Sequence, residues 1–259
     1  LKYYLMPDFS KFSASTVLGA LGQMFYSMSL AMGIMITYGS YMQRENILEH
    51  SVTQIEVFDT LFAFVAGLMI IPAVVAFNGG DPSQINAGPG LMFVTLPMVF
   101  ESMAFGTVVG AVFFLLVLFA ALTSSISLME TIVSVVMDKT PLKRRPTTIL
   151  MTVVVLLVGI PSCLGYGPWA GITIIGMQFL DFFDFLSNSV LMPIVAFLTC
   201  ILIGHVVGTK VIADEVKQGA NAFHREKLHR VMVRWIAPVL LMAILLSELA
   251  TKVFGLFTI

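Results

Sequence analysis

Charge is what this sequence has least of. Charged residues make up 11% of the 259, hydrophobic residues make up 58%, and the mean hydropathy is +0.95. A soluble domain carries about 25% charged residues, so an ordinary water-soluble globule is excluded. Cysteine is nearly absent as well. Cys163 and Cys200 lie in or beside apolar segments and have neither the count of a disulfide framework nor the spacing of a zinc site, so they are expected only to pack. The histidines (His50, His205, His224, His229) form no ligand pattern. The net charge of -1 recommends no nucleic acid or other polyanion. Residues 1–15 lack the basic start and apolar middle of a signal peptide, and with Leu1 in first place the chain is expected to be a fragment of a longer protein.

Long apolar runs are what the sequence does have. A crossing needs about 20 mostly apolar residues to match a hydrocarbon core of roughly 30 Å, and six stretches qualify: 16–42, 54–78, 104–137, 147–166, 179–206 and 231–256. The third is long enough to tilt or to run on beyond the bilayer. None alternates apolar with polar residues as a membrane β-barrel strand must. The expectation is an all-α membrane protein, with residues 1–259 as a single transmembrane domain, an outer loop at 79–103 and a polar connector at 207–228. Basic residues orient it. Arg44, the group Lys139, Lys143, Arg144 and Arg145, and the group Lys210, Lys217, Arg225, Lys227, Arg230 and Arg234 fall in alternate loops, while 79–103 and 167–178 contain none. By the positive-inside rule the basic loops face the cytoplasm. Both chain ends are then outside, and an odd number of earlier spans is expected to precede Leu1.

Polar groups at membrane depth are the informative positions, because non-helical backbone there survives only where it is buried or lines a cavity. The first stretch carries Gln23, Ser27, Ser29 and Gly33 in its middle. Serine hydroxyls, with carbonyls freed by any unwinding, are the hard oxygen donors a sodium ion takes. The same serines could instead bond back to carbonyls of the preceding turn. Thr123, Ser124 and Ser125 form a hydroxyl run in the third stretch, open to reading as ion ligands or as helix–helix contacts. Asp59 stands near the start of the second stretch. A carboxylate at membrane depth costs roughly 2.5 to 3.5 kcal/mol on insertion scales, which points to a function unless it is interfacial.

Asp181 and Asp184 share a face at the start of the fifth stretch, where the helix dipole alone would favour them. Tyr41 and Asp138 end the first and third stretches, as interface anchors also do. Residues 78–90 are turn-rich, and the apolar 91–100 beyond them are too short to span. That segment is expected to be re-entrant or a lid.

Taken together, these residues resemble the neurotransmitter:sodium symporter family, in its bacterial amino-acid transporter branch. Residues 20–29 read A-x-G-Q-x-F-x-S-x-S, with Gly33 and T-Y-G-S-Y at 37–41 behind them, as in the family's sixth helix; L-T-S-S at 122–125 and D-x-x-D at 181–184 come next in the family's order. The resemblance covers essentially the whole chain. It implies the LeuT-type inverted-repeat helical bundle: here the second repeat plus one helix, six transmembrane helices with the first one broken, in a bacterial inner membrane.

It also implies roles. Two sodium ions are expected, each site completed by a missing N-terminal half: Ser27 and Asp59 would serve the first, and Ala120 (through its carbonyl), Thr123 and Ser124 the second. Tyr26, Ser27, Ser29, Met32, Ser124, Ser125 and Leu128 would line an amino-acid site. Tyr26 with Asp184, and Tyr41 with Asp138, would be outer and inner gates. The family mostly has Asn where Asp59 stands, and a serine where Ala63 stands in chloride-dependent members, so chloride independence is implied. Met32 replaces a bulkier aromatic; a flexible thioether adapts to varied side chains, and hydrophobic or aromatic L-amino acids are the expected substrates. The partners are therefore substrate, sodium, lipid and the missing repeat, with no nucleic acid and no enzymatic step. Two rivals are another sodium:solute transporter of the same fold, which would lack the G-Q-x-F-x-S-x-S spacing, and an intramembrane aspartyl enzyme. For the enzyme, Asp59 and the Asp181/Asp184 pair enter from opposite sides and should not meet as a proton-sharing dyad must.

Overall fold

A computed structural model describes residues 2–7, 9–81, 88–219 and 222–252. Apart from one isolated antiparallel bridge between Ile174 and Met177, the described secondary structure is helical. After a short turn of helix at Lys2–Leu5 come α1 (Ala14–Ser27), α2 (Ile34–Tyr41), α3 (Leu48–Phe77), α4 (Gly88–Glu101), α5 (Gly106–Lys139), α6 (Arg144–Leu164), α7 (Phe179–Val207), α8 (Thr209–Val216) and α9 (Glu226–Lys252).

Five of these, α3, α5, α6, α7 and α9, are long and apolar enough to cross a membrane, and the chain is a multi-pass membrane protein. The remaining apolar stretch, 16–42, is divided between α1 and α2, neither of which is long enough alone. α3 starts six residues before the expected 54, and α9 five before the expected 231. Residues 82–87 of the outer loop, 220–221 of the connector and 253–256 of the last stretch lie outside the described residues. In α3, α5 and α6 only 6% of the most apolar window is buried within the chain. Their apolar faces are left for lipid or for further helices.

The chain forms two compact units, Leu1–Phe12 with Ile55–Ile126, and Ser13–Gln54 with Ser127–Ile259. In the first, α4 lies against α3 and α5 through Val74, Leu96 and Val99, with Ile70, Ala73, Leu91, Phe100 and Phe113 around them. Phe100 and Phe113 meet with ring centroids 5.3 Å apart. Between lipid-exposed helices such close packing, more than exclusion of water, holds elements together. The apolar segment 91–100 is thus part of a helix docked on two spans. Tyr4 donates its hydroxyl to the Phe64 carbonyl at 3.3 Å.

In the second unit α7 and α9 form the central pair, burying Met192, Ala196, Leu241, Ile244 and Leu245, with α1 alongside: a Cβ on Gly22 would touch Ile244 at 3.9 Å. Both central helices contain wide, π-type turns, at Phe185–Leu191 and Leu202–Val207 of α7 and Met232–Ile236 of α9. The connector is tied down at α3's start, where the Glu49 carboxylate accepts the backbone N–H groups of His224 and Arg225 at 3.0 and 3.1 Å.

Candidate functional site

The site is built on a helix that stops in mid-span. Ser13 caps the start of α1 with its side chain, and fourteen residues later the helix ends although apolar residues continue. Ser29 and Ala31 take positive φ, 54° and 61°, and Gly33 comes after them at 82°. Left-handed backbone is costly for residues with a Cβ, and such strain persists only where surroundings impose it. Gly33 answers two demands at once: its φ favours glycine, and a Cβ there would meet Thr131 Cγ2 at 2.8 Å. Thr37 N–H then bonds the Gly33 carbonyl at 2.9 Å and the helix resumes as α2.

The interruption exposes backbone oxygen. N–H groups of residues 28–30 still bond back to Met24, Tyr26 and Phe25, but the carbonyls of Met28, Ser29, Leu30, Ala31 and Met32 accept no backbone hydrogen bond among the described residues. Unpaired backbone groups away from water cost about as much as a lost hydrogen bond, so five neighbouring ones mark a place where something else must satisfy them. The break borders a cleft of about 410 Å³ lined by Tyr26, Ala31, Met32, Leu128, Asn188 and Met192 among others. Its lining is largely apolar, with a few polar groups converging, as in small-molecule sites. Tyr26, Met32 and Leu128, three of the sequence-derived pocket residues, are therefore brought together, and Ser29 sits in the break itself.

A second cleft of about 270 Å³ adjoins Tyr26. It is lined also by Gln23, Asp184, Asn188, Ser189, Glu248 and Lys252. Asp184 accepts from the Asn188 amide at 2.5 Å, and Glu248 accepts from Ser189 at 3.0 Å with Lys252 3.3 Å away. Tyr26 and Asp184 thus share a wall. Glu248 and Asn188 are additions that sequence reasoning missed: a single acid near a helix end reads as an interface residue unless its partner on another helix is known.

At the other end of the break, Tyr41 donates its hydroxyl to Glu130 at 2.6 Å, and Arg144 pairs with the same carboxylate at 2.5 Å. Tyr41 therefore meets Glu130, two turns before Asp138 on α5. Tyr38 and Ser127 bond in the same region at 2.5 Å, so α2 is held to α5 by two tyrosine hydroxyls.

In the first unit the hydroxyl run lies on uninterrupted helix. Thr123 donates to the Phe119 and Ala120 carbonyls at 3.1 and 3.0 Å, and Ser125 to Leu122 at 2.8 Å. A hydroxyl that donates keeps its oxygen lone pairs, so Thr123 and Ser125 retain acceptor capacity, whereas the Ala120 carbonyl, on continuous helix, takes the Thr123 hydroxyl in addition to the backbone N–H of the next turn. Asp59 is half-buried on α3 in the same unit, three turns after that helix begins.

The profile of the Sodium:neurotransmitter symporter family matches residues 1–254. An uncharacterized sodium-dependent transporter of Bacillus subtilis, YhdH, is 36% identical over 86% of this chain and 48% of its own length. One from Haemophilus influenzae is 33% identical over 96% of this chain and 53% of its own. The crystal structure of MhsT in complex with L-phenylalanine superposes with a TM-score of 0.81 at 36% identity, over 93% of this chain and 54% of that one. The chain spans about half the length of the relatives it matches. Its helical bundle, with the first span broken, is of the LeuT type, its relatives are transporters and not enzymes, and the chain belongs to the sodium:neurotransmitter symporter family.

Proposed function

We propose that this chain is the sodium-site-bearing half of a symporter that carries hydrophobic or aromatic L-amino acids inward with sodium, independently of chloride, across a bacterial inner membrane. The observation that carries the reading is the break at residues 28–33, where five successive carbonyls have no backbone partner among the described residues and two of the residues that carry them, Ala31 and Met32, line a largely apolar cleft. Carbonyls recognise both a hard cation and a substrate ammonium, and the apolar wall suits a hydrophobic side chain. That MhsT was crystallised with L-phenylalanine supports the aromatic end of the substrate range, as does the adaptable Met32 in the cleft wall.

Residue roles are those of the family pattern. Ser27 and Asp59 serve one sodium; Ala120, Thr123 and Ser124 serve the second. Tyr26, Ser27, Ser29, Met32, Ser124, Ser125 and Leu128 receive the substrate. Tyr26 and Asp184 gate the outer side, Tyr41 and Asp138 the inner, with Glu130 and Arg144 joining Tyr41 there. Asp59 brings a fixed negative charge to its sodium, which removes the need for an anion. The remaining half of each site comes from a first repeat. Inward movement of each positive charge at 100 mV supplies roughly 2.3 kcal/mol, enough for two sodium ions to drive accumulation with no bond chemistry.

The test is uptake of a panel of labelled L-amino acids by cells expressing the intact protein. Uptake of phenylalanine or leucine that needs sodium, ignores chloride, and becomes chloride-dependent or is lost in Asp59→Asn is the expected outcome. Uptake indifferent to sodium overturns the reading, and chloride-stimulated uptake by the unaltered protein overturns the role given to Asp59.

A further inference from the structure

The ends of α7 and α9 remote from Asp184 carry a cluster that neither cleft uses. Asp184 and Lys252 line one cleft. At 1.5 Å per residue, His205 lies about 32 Å along α7 from Asp184, and Arg234 about 27 Å along α9 from Lys252. A hydrocarbon core of roughly 30 Å puts both at the opposite membrane interface.

There the two wide turns face each other. A Cβ on Gly204 would stand 3.3 Å from the Arg234 Cα and 3.4 Å from the Val233 carbonyl oxygen, so the backbones touch along the seam and larger side chains are turned out of it. Arg234, Trp235 and His205 are all exposed, and the imidazole meets the Trp235 ring edge-on at 5.9 Å. Beside them Val206, Val207 and Ile236 are exposed too.

Arg234 differs from other basic residues near it. Lys217 and Arg230 share Glu226 at 2.6 and 3.0 Å, which occupies that acid. The Arg234 guanidinium makes no ion pair or hydrogen bond among the described residues. An unpaired guanidinium, an indole at headgroup depth and an apolar strip running away from them match a molecule with an anionic head and a hydrocarbon tail.

We propose that Arg234, Trp235 and His205 form a binding site for the headgroup of an anionic phospholipid. The guanidinium takes the phosphate in a bidentate, charge-assisted pair; the indole, amphipathic as interfacial tryptophans are, lies along the glycerol region; and an acyl chain runs along Val206, Val207 and Ile236. A soluble anion would use the guanidinium but not the apolar strip. The proposal rests on the membrane assignment and not on the transport reading.

Native mass spectrometry of the intact protein, exchanged from detergent into mixed micelles of phosphatidylglycerol or phosphatidylcholine, tests it. Phosphatidylglycerol should be retained preferentially, and Arg234→Gln should lower its retention about five-fold, the value of one basic residue near an anionic surface. Arg234→Lys should keep most of it, and Arg145→Gln, an exposed basic residue on another helix, should leave it unchanged. Equal retention of both lipids, an equal loss in the Arg145 variant, or displacement by soluble glycerol phosphate overturns the proposal. An unchanged melting temperature of the Arg234 variants separates a lost site from a lost fold.

Discussion

Two hydroxyl-rich stretches of this chain, both in mid-span and both rich in serine, have opposite fates. At 122–125 the helix continues, and the hydroxyls of Thr123 and Ser125 donate to carbonyls one turn back. At 27–33 the helix stops, and five carbonyls lose their backbone partners. Serine content does not decide between these outcomes. The residues on the C-terminal side of each stretch do: Gly33 supplies a left-handed residue against Thr131, and α2 restarts behind it, whereas 126–139 contain neither glycine nor proline to interrupt the helix. In one stretch the side chains are the oxygen donors on offer, held by the helix. In the other the backbone itself is.

Gly33→Ala should have the largest effect on that contrast. It places a methyl 2.8 Å from Thr131 Cγ2 and forces a φ of 82° on a residue with a Cβ, at a cost of about 2 kcal/mol in strain alone. The intact protein should melt earlier and lose uptake. Adding Thr131→Ser removes the struck methyl and should recover only part of the loss; full recovery would mean that the left-handed backbone at 33 is not what maintains the break.

Thr123→Val comes next and addresses the other stretch. The helix keeps its backbone bonds, so stability should change by less than about 1 kcal/mol. If the hydroxyl oxygen is a sodium ligand, the sodium concentration for half-maximal uptake should rise by about ten-fold or more, since hydrogen-bond-strength contacts to a charge are worth roughly 1.5 to 3 kcal/mol. An unchanged sodium dependence would leave Thr123 as a back-bonded helix residue, making the two stretches differ in kind rather than in which oxygen they offer.

Much of this was legible in the sequence because the bilayer demands it. Twenty apolar residues in a row have few other uses, so the spans at 104–137 and 179–206 agree with α5 and α7 to within a few residues. The polar starts of α3 and α9 escape such a reading, since helices continue past the membrane wherever their own hydrogen bonds allow, and hydropathy is blind to that. The break was signalled by Gly33 and the serines, and the family pattern made the signal specific. Glu130 and Glu248 gave none. Each is one acid in an apolar helix, and its meaning depends on a partner far along the chain: Tyr41 is 89 residues from Glu130, and Ser189 is 59 from Glu248. The wide turns in α7 and α9 were equally silent, because an extra residue in one turn leaves the apolar count of the span unaltered.

Ala31→Gly should have the smallest effect and is the most discriminating about strain. Ala31 holds a φ of 61°, which costs an L-residue roughly 1–2 kcal/mol, whereas glycine would lose about 0.5–1 kcal/mol more than alanine in backbone entropy. The balance is a gain of about 0.5 kcal/mol in melting experiments, and the cleft wall loses one methyl. If the break is held from outside, by the Tyr38 and Tyr41 hydroxyls on α5, the stabilised variant should keep its transport rate. If alanine's strain instead lowers the barrier to rearranging the break, the same variant should melt later and turn over more slowly. A slower, more stable protein would assign Ala31 to the conformational step, a role that α5, helical throughout, offers no residue to share.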